Sequence, residues 1–217
     1  MRGVVLGFVI LLAACGAARA AETAAPAGTP AADPDAALNM CLTGSGKDQK
    51  ALIEACTAAL TRTDLSPTGI GVLHQRRGTA AFQIQDMDMA LDDYSQAVLA
   101  DPKDDAAQAG RGIVYYGLGE YAQAIHDLTT ALELNPQHPF ARSIRGICYV
   151  RIDSFKAAID DLSSVIDGKS GGTAMDYYNR GLAYQGLKDK GKAKADFKQC
   201  LKLLPDQAAC KQALSAL

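Results

Sequence analysis

Gly78, Gly112, Gly146 and Gly181 stand 34, 34 and 35 residues apart, and the residues around them recur in step. Three residues after each Gly come Ala81, Tyr115, Tyr149 and Tyr184. Twelve after each come Ala90, Ala124, Ala158 and Ala193, and sixteen after come Tyr94, Leu128, Leu162 and Phe197. Twenty-four after come Pro102, Pro136 and Pro205; the third unit has Ser170 there, in the stretch 168–172 that carries its extra residue. Self-similarity at such a period means stacked copies of one small unit. The Gly and Ala columns suit places where two helices approach too closely for a larger side chain. The aromatic and large aliphatic columns fill the space between them. Pro follows a helix because it cannot continue one. Apolar residues within a unit fall at i, i+3, i+4 and i+7, the helical period. Gly119-Glu120-Tyr121 and Asp153-Ser154-Phe155 read as the turns between paired helices. Each unit is therefore predicted to be a helix–turn–helix.

The period, with G-x2-Y, A-x3-F and P in that order, resembles the tetratricopeptide repeat. The resemblance covers residues 71–104, 105–138, 139–173 and 174–207. It implies an all-α fold, a right-handed α-solenoid of helix–turn–helix repeats. One departure is the fourth position, where the family's large aromatic is replaced by His74, Gln108, Arg142 and Tyr177. Residues 38–70 read as a degenerate leading half-repeat, with Leu52, Cys56 and Ala59 in the second-helix columns. Residues 208–217 read as a helix that caps the open end, which an exposed apolar terminal face requires.

The first 20 residues read as a targeting segment. Arg2 precedes an apolar and small run from Val4 to Ala14, too short to cross a bilayer. Ala18-Arg19-Ala20 before Ala21 fits an ordinary signal-peptidase site, and Leu12-Ala13-Ala14-Cys15 resembles a bacterial lipobox that would lipidate Cys15. Either route places the protein outside the cytoplasm: free in the periplasm by the first, at the outer membrane as a lipoprotein by the second. Residues 21–37, rich in Ala, Pro and Thr, read as a disordered linker. The formal net charge of −2 becomes −4 without Arg2 and Arg19, and no basic arm stands out, so nucleic acid is not expected as a partner. A membrane is expected only through Cys15. Disulfides persist after export, and two pairs sit on opposite arms of expected hairpins: Cys41 with Cys56, and Cys200 with Cys210. Cys148 is left as a buried thiol.

Arg77, Arg111, Arg145 and Arg180 each precede the repeat Gly, and sixteen residues later stand Asp93, Asp127, Asp161 and Asp196. With a turn about midway, the two residues face each other across the hairpin. A ladder of structural ion pairs is the preferred reading, and a row of arginines gripping acidic ligands is the other. No catalytic pattern is present: His74, His126 and His138 fall at three different repeat positions, with no metal spacing and no nucleophile motif. No enzyme, metal or cofactor is expected. What remains is the groove. The resemblance implies that the first helix of each repeat lines it, which nominates Phe82, Ile113, Tyr116, Phe140, Ile147, Tyr178 and Leu182 for binding a protein or peptide. The expected function is a non-enzymatic interaction module of the bacterial envelope; the alternative is a membrane-anchored scaffold lipidated at Cys15.

Overall fold

The computed structural model describes residues 33–44, 48–138, 140–169 and 171–217. The expected signal segment, Cys15 and most of the expected linker lie outside them. Among the described residues there are eleven helices and no strand. They run as hairpins: α1 (Pro34–Thr43) with α2 (Gln49–Ala59), α3 (Pro67–Gln83) with α4 (Met87–Ala100), and α5 (Asp105–Leu118) with α6 (Tyr121–Leu134). Then come α7 (Ala141–Arg151) with α8 (Phe155–Ile166), α9 (Ala174–Gly186) with α10 (Lys190–Leu203), and α11 (Ala208–Ser215) packed alone on α10. Each hairpin packs on the next, so the architecture is an α-solenoid.

The columns do in space what their residue types allow. A Cβ added to Gly112 would lie 2.8 Å from Leu128 Cγ, and one added to Gly181 would lie 2.5 Å from Phe197 Cε1. The paired helices are in contact there, and the large residue sixteen positions later fills the space that Gly leaves. Ala90, Ala124, Ala158 and Ala193 are all fully buried. The polar residues at the fourth position anchor locally instead of packing as a large aromatic would. Gln108 Nε2 donates to Pro102 O (3.2 Å), and Arg142 Nη2 donates to Pro136 O (2.9 Å), each tying a first helix to the loop before it.

Two boundaries differ from the sequence expectation. The first helix opens at Pro34, inside the stretch read as linker to residue 37. Asp33 accepts from Asp35 N (3.0 Å) and Pro34 occupies the first turn, so a cap and a helix-starting proline override the disordered composition. The leading unit is thus a whole hairpin, and α3 begins at Pro67, capped by Ser66, four residues before the expected repeat start. Cys41 and Cys56 are bridged with S–S 1.99 Å, and Cys200 and Cys210 with S–S 1.91 Å. One bridge closes the first hairpin; the other fixes α11 to α10.

Between paired helices one residue per repeat takes the left-handed conformation: Gln85, Gly119, Asp153 and Lys188, with φ of 64°, 80°, 58° and 63°. Only the second repeat places Gly there, and a side chain in this region is strained. Gln85→Gly, Asp153→Gly and Lys188→Gly should therefore each raise stability by about 0.5–1 kcal/mol, read as a higher denaturant midpoint, while Gly119→Ala should lower it comparably.

Candidate functional site

Successive first helices α1, α3, α5, α7 and α9 approach one another, whereas successive second helices make no comparable contact. A stack that is tighter along its first helices curves towards them, so these helices form the inner wall. Polar bridges cross that wall. Gln75 Nε2 donates to Asp104 Oδ2 (3.3 Å), and Ser143 Oγ makes a short hydrogen bond to Asp176 Oδ1. Asp176 Oδ2 also accepts from Thr173 N (2.8 Å), completing a capping box at the start of α9.

The apolar residues nominated for the groove divide sharply. Ile147 is 1% exposed and packs among Ala158, Leu162 and Ala183, so it is core and not ligand surface. The reason is the stacking itself: that side of α7 meets α9 of the next repeat. Phe82, Ile113, Tyr116 and Leu182 are half-buried against the core clusters beside them. The Tyr116 ring lies 6.3 Å from Tyr121, and the Tyr178 ring 6.0 Å from Phe197. Phe140 alone of the set is open, 63% exposed. Two other residues at inner-helix positions are also open, Met175 at 54% and Val72 at 40% exposure. Phe140 lines a cleft of about 840 Å³ between α7 and the loop leading to α9, with Pro136, Val165, Gly168 and Thr173. Periodicity identified the inner face but could not show which of its residues the next repeat covers.

Each guanidinium of the Arg column grips the carboxylate of its own repeat with two parallel bonds. For Arg145, Nε to Asp161 Oδ2 is 2.7 Å and Nη2 to Oδ1 is 2.8 Å; for Arg180 and Asp196 both are 2.8 Å. Arg77 holds Asp93 and Arg111 holds Asp127 in the same way. The third nitrogen reaches back to the preceding repeat: Arg77 Nη1 to Thr57 Oγ1 (3.0 Å), Arg145 Nη1 to Thr129 Oγ1 (3.1 Å) and Arg180 Nη1 to Ser163 Oγ (3.1 Å). At the remaining junction Ser95 Oγ donates instead to Leu91 O (2.7 Å). The hydrogen bonds to the aspartates raise the pKa of Arg111, Arg145 and Arg180 against the opposing effect of burial, so these side chains stay charged at any working pH. Three nitrogens of Arg77, Arg145 and Arg180 and two of Arg111 are thus engaged within the fold. A row of arginines gripping acidic ligands does not fit this geometry.

Two of the three histidines lie on the same ladder, while His138 Nδ1 accepts from Ala141 N (3.2 Å) at the start of α7. His74 Nδ1 lies 2.8 Å from Asp93 Oδ1, and His126 Nδ1 lies 3.1 Å from Asp127 Oδ1. Cys148 is fully buried, and burial pushes its thiol up to about 12, which makes it unreactive. Among the described residues, no group of three or more His, Cys, Asp or Glu side chains could hold a metal ion, and no helix is long and apolar enough to cross a membrane.

The sequence matches the tetratricopeptide repeat pattern twice, over residues 106–138 and 177–207. The chain contains tetratricopeptide repeats. No curated protein matches it. Solved structures share the fold at low identity. YrrB, described as a tetratricopeptide-repeat protein with an unusual peptide-binding site, is 22% identical with a TM-score of 0.71, covering 85% of this chain and 93% of YrrB. A tetratricopeptide-repeat protein from Parabacteroides merdae ATCC 43184 is 19% identical with a TM-score of 0.68, covering 84% of this chain and 69% of that one. MamA, from residue 41 to its end, from Desulfovibrio magneticus RS-1 is 23% identical with a TM-score of 0.62, covering 67% of this chain and 82% of that one.

In the tetratricopeptide array the Arg–Asp ladder leads to a direct test. Arg111→Ala leaves the buried Asp127 carboxylate without its bidentate arginine partner and should cost on the order of 2–4 kcal/mol. Asp127→Ala should be similarly costly, and the double variant should fall short of the sum by about 1 kcal/mol or more in a denaturation cycle.

Proposed function

We propose that the chain holds a protein or peptide ligand on the inner wall of its solenoid, with an apolar side chain of the ligand seated against Phe140. The observation that carries this reading is the exposure of Phe140 beside its cleft, with Met175 open on the next first helix, α9, and Val72 open on α3 of the same inner wall. An open apolar strip on a folded monomer marks an interaction surface, and buried aromatic anchors dominate interface energies. YrrB, whose fold this chain shares, is described as having a peptide-binding site, which is consistent with a peptide as the ligand. The setting we propose is the bacterial envelope. The apolar run from Val4 to Ala14 supports export, and the two disulfides suit an oxidising compartment. Lipidation at Cys15 would present the same groove at a membrane. The function needs no catalytic group.

Selection of a peptide library on the immobilised protein, followed by titration of the selected peptides, tests the site. Phe140→Ala with Met175→Ala should weaken binding by about 2–4 kcal/mol and leave the thermal melt unchanged. Tyr116→Ala with Tyr178→Ala should act the other way and lower stability, because both rings are packed. Selected peptides that bind the Phe140/Met175 variant as tightly as the parent protein would place the ligand elsewhere.

A further inference from the structure

The stacking columns change character at the last repeat. Thirteen residues after the repeat Gly stand Leu91, Ile125 and Ile159, each partly buried against a core cluster, and then Lys194. Seventeen after stand Ser95, Thr129 and Ser163, and then Lys198. Two positions that meet the following repeat elsewhere are thus lysines at the end of the array, and α11 is too short to cover them; both are exposed. Lys202 extends the stripe by one more turn. Lys190 and Lys192 have partners in Leu217 O (2.6 Å) and Asp189 (3.4 Å), but Lys194, Lys198 and Lys202 have no ion pair among the described residues. The last 30 residues hold seven of the chain's twelve lysines against three aspartates, and one of those, Asp196, is buried in the Arg180 pair.

The opposite pattern sits three repeats away. Helix α4 contains no basic residue, and Asp88 and Asp92 are exposed on it one turn apart with no ion pair among the described residues. Leu99, on the same face two turns further on, is 75% exposed. Like charges one turn apart on a helix repel each other. Both helices therefore carry a destabilising row that an oppositely charged row would relieve, and the two rows share the one-turn spacing.

We infer that the chain pairs with a second copy of itself, α10 of each copy lying on α4 of the other. In a two-fold pair the same contact forms twice by symmetry, and the assembly closes at two. Lys194 and Lys198 face Asp88 and Asp92, and the aliphatic stem of Lys202 covers Leu99. The contact uses the second helices, so it leaves the Phe140 strip on the first helices free and does not depend on what binds there.

Sedimentation equilibrium of the mature protein at low and high salt tests the inference. The expected result is a dimer at low salt whose dissociation constant rises at least about tenfold at high salt, since exposed charge pairs are screened. Lys194→Glu with Lys198→Glu, and separately Asp88→Lys with Asp92→Lys, should each give monomers with unchanged melting curves. Mixed in equal amounts, the two variants should form a heterodimer, because both contacts are then complementary again. A parent protein that is monomeric at low salt would overturn the inference, as would single-sided variants that still dimerise or a mixture that does not pair. Parent protein that stays monomeric yet binds anionic phospholipid vesicles, with binding lost in Lys194→Glu/Lys198→Glu, would assign the lysine face to a membrane surface instead.

Discussion

A guanidinium that holds a carboxylate of its own repeat and a hydroxyl of the repeat before it solves two problems of a solenoid at once. Within a hairpin, the paired helices meet through Gly and Ala columns that are smooth and would allow sliding. The bidentate Arg–Asp pair admits one register. Between hairpins, the third nitrogen of Arg77, Arg145 or Arg180 ties the new unit to Thr57, Thr129 or Ser163 of the last one. The aspartates are buried, so the pair specifies geometry more than it adds net stability. Aromatic rings complete the same sites: Arg145 lies over Tyr149 at 5.9 Å, and Arg180 over Tyr177 at 5.7 Å.

A stack of this kind is weakest at its ends, where a unit has one neighbour instead of two. The two disulfides are at those ends. Cys41–Cys56 closes the leading hairpin, which has alanine at position 55 where later repeats have the ladder aspartate. Cys200–Cys210 holds α11, whose eight residues are too few to stand alone as a helix. Constraining loops this short contributes about 2–3 kcal/mol each. The lysines of α10 then mark the end of the array by charge where the earlier repeats have apolar and hydroxyl residues.

Much of this was legible in the sequence. The Gly, Ala and Pro columns define the hairpins, and the sixteen-residue Arg–Asp spacing places the two side chains across a turn. The hydroxyl column was equally visible, as Thr57, Ser95, Thr129, Ser163 and then Lys198, but without a stacking geometry nothing ties it to the arginines. The inner wall was read less well. A face of a helix predicts direction, and burial on that face depends on how far the next repeat slides over it. Ile147 and Phe140 belong to the same face of one unit, yet α9 covers the first and leaves the second open. The left-handed column was hidden for a related reason: Gly119 advertises it, while Gln85, Asp153 and Lys188 are held there by the surrounding hairpin.

The central claim is that the arginine couples neighbouring repeats as well as paired helices. Native-state hydrogen exchange of the Arg145→Leu variant tests it most directly. The account predicts faster exchange in α7 and α8 and also in α6, whose Thr129 loses its partner across the repeat boundary. Faster exchange confined to α7 and α8, with α6 protected as in the parent protein, would contradict it.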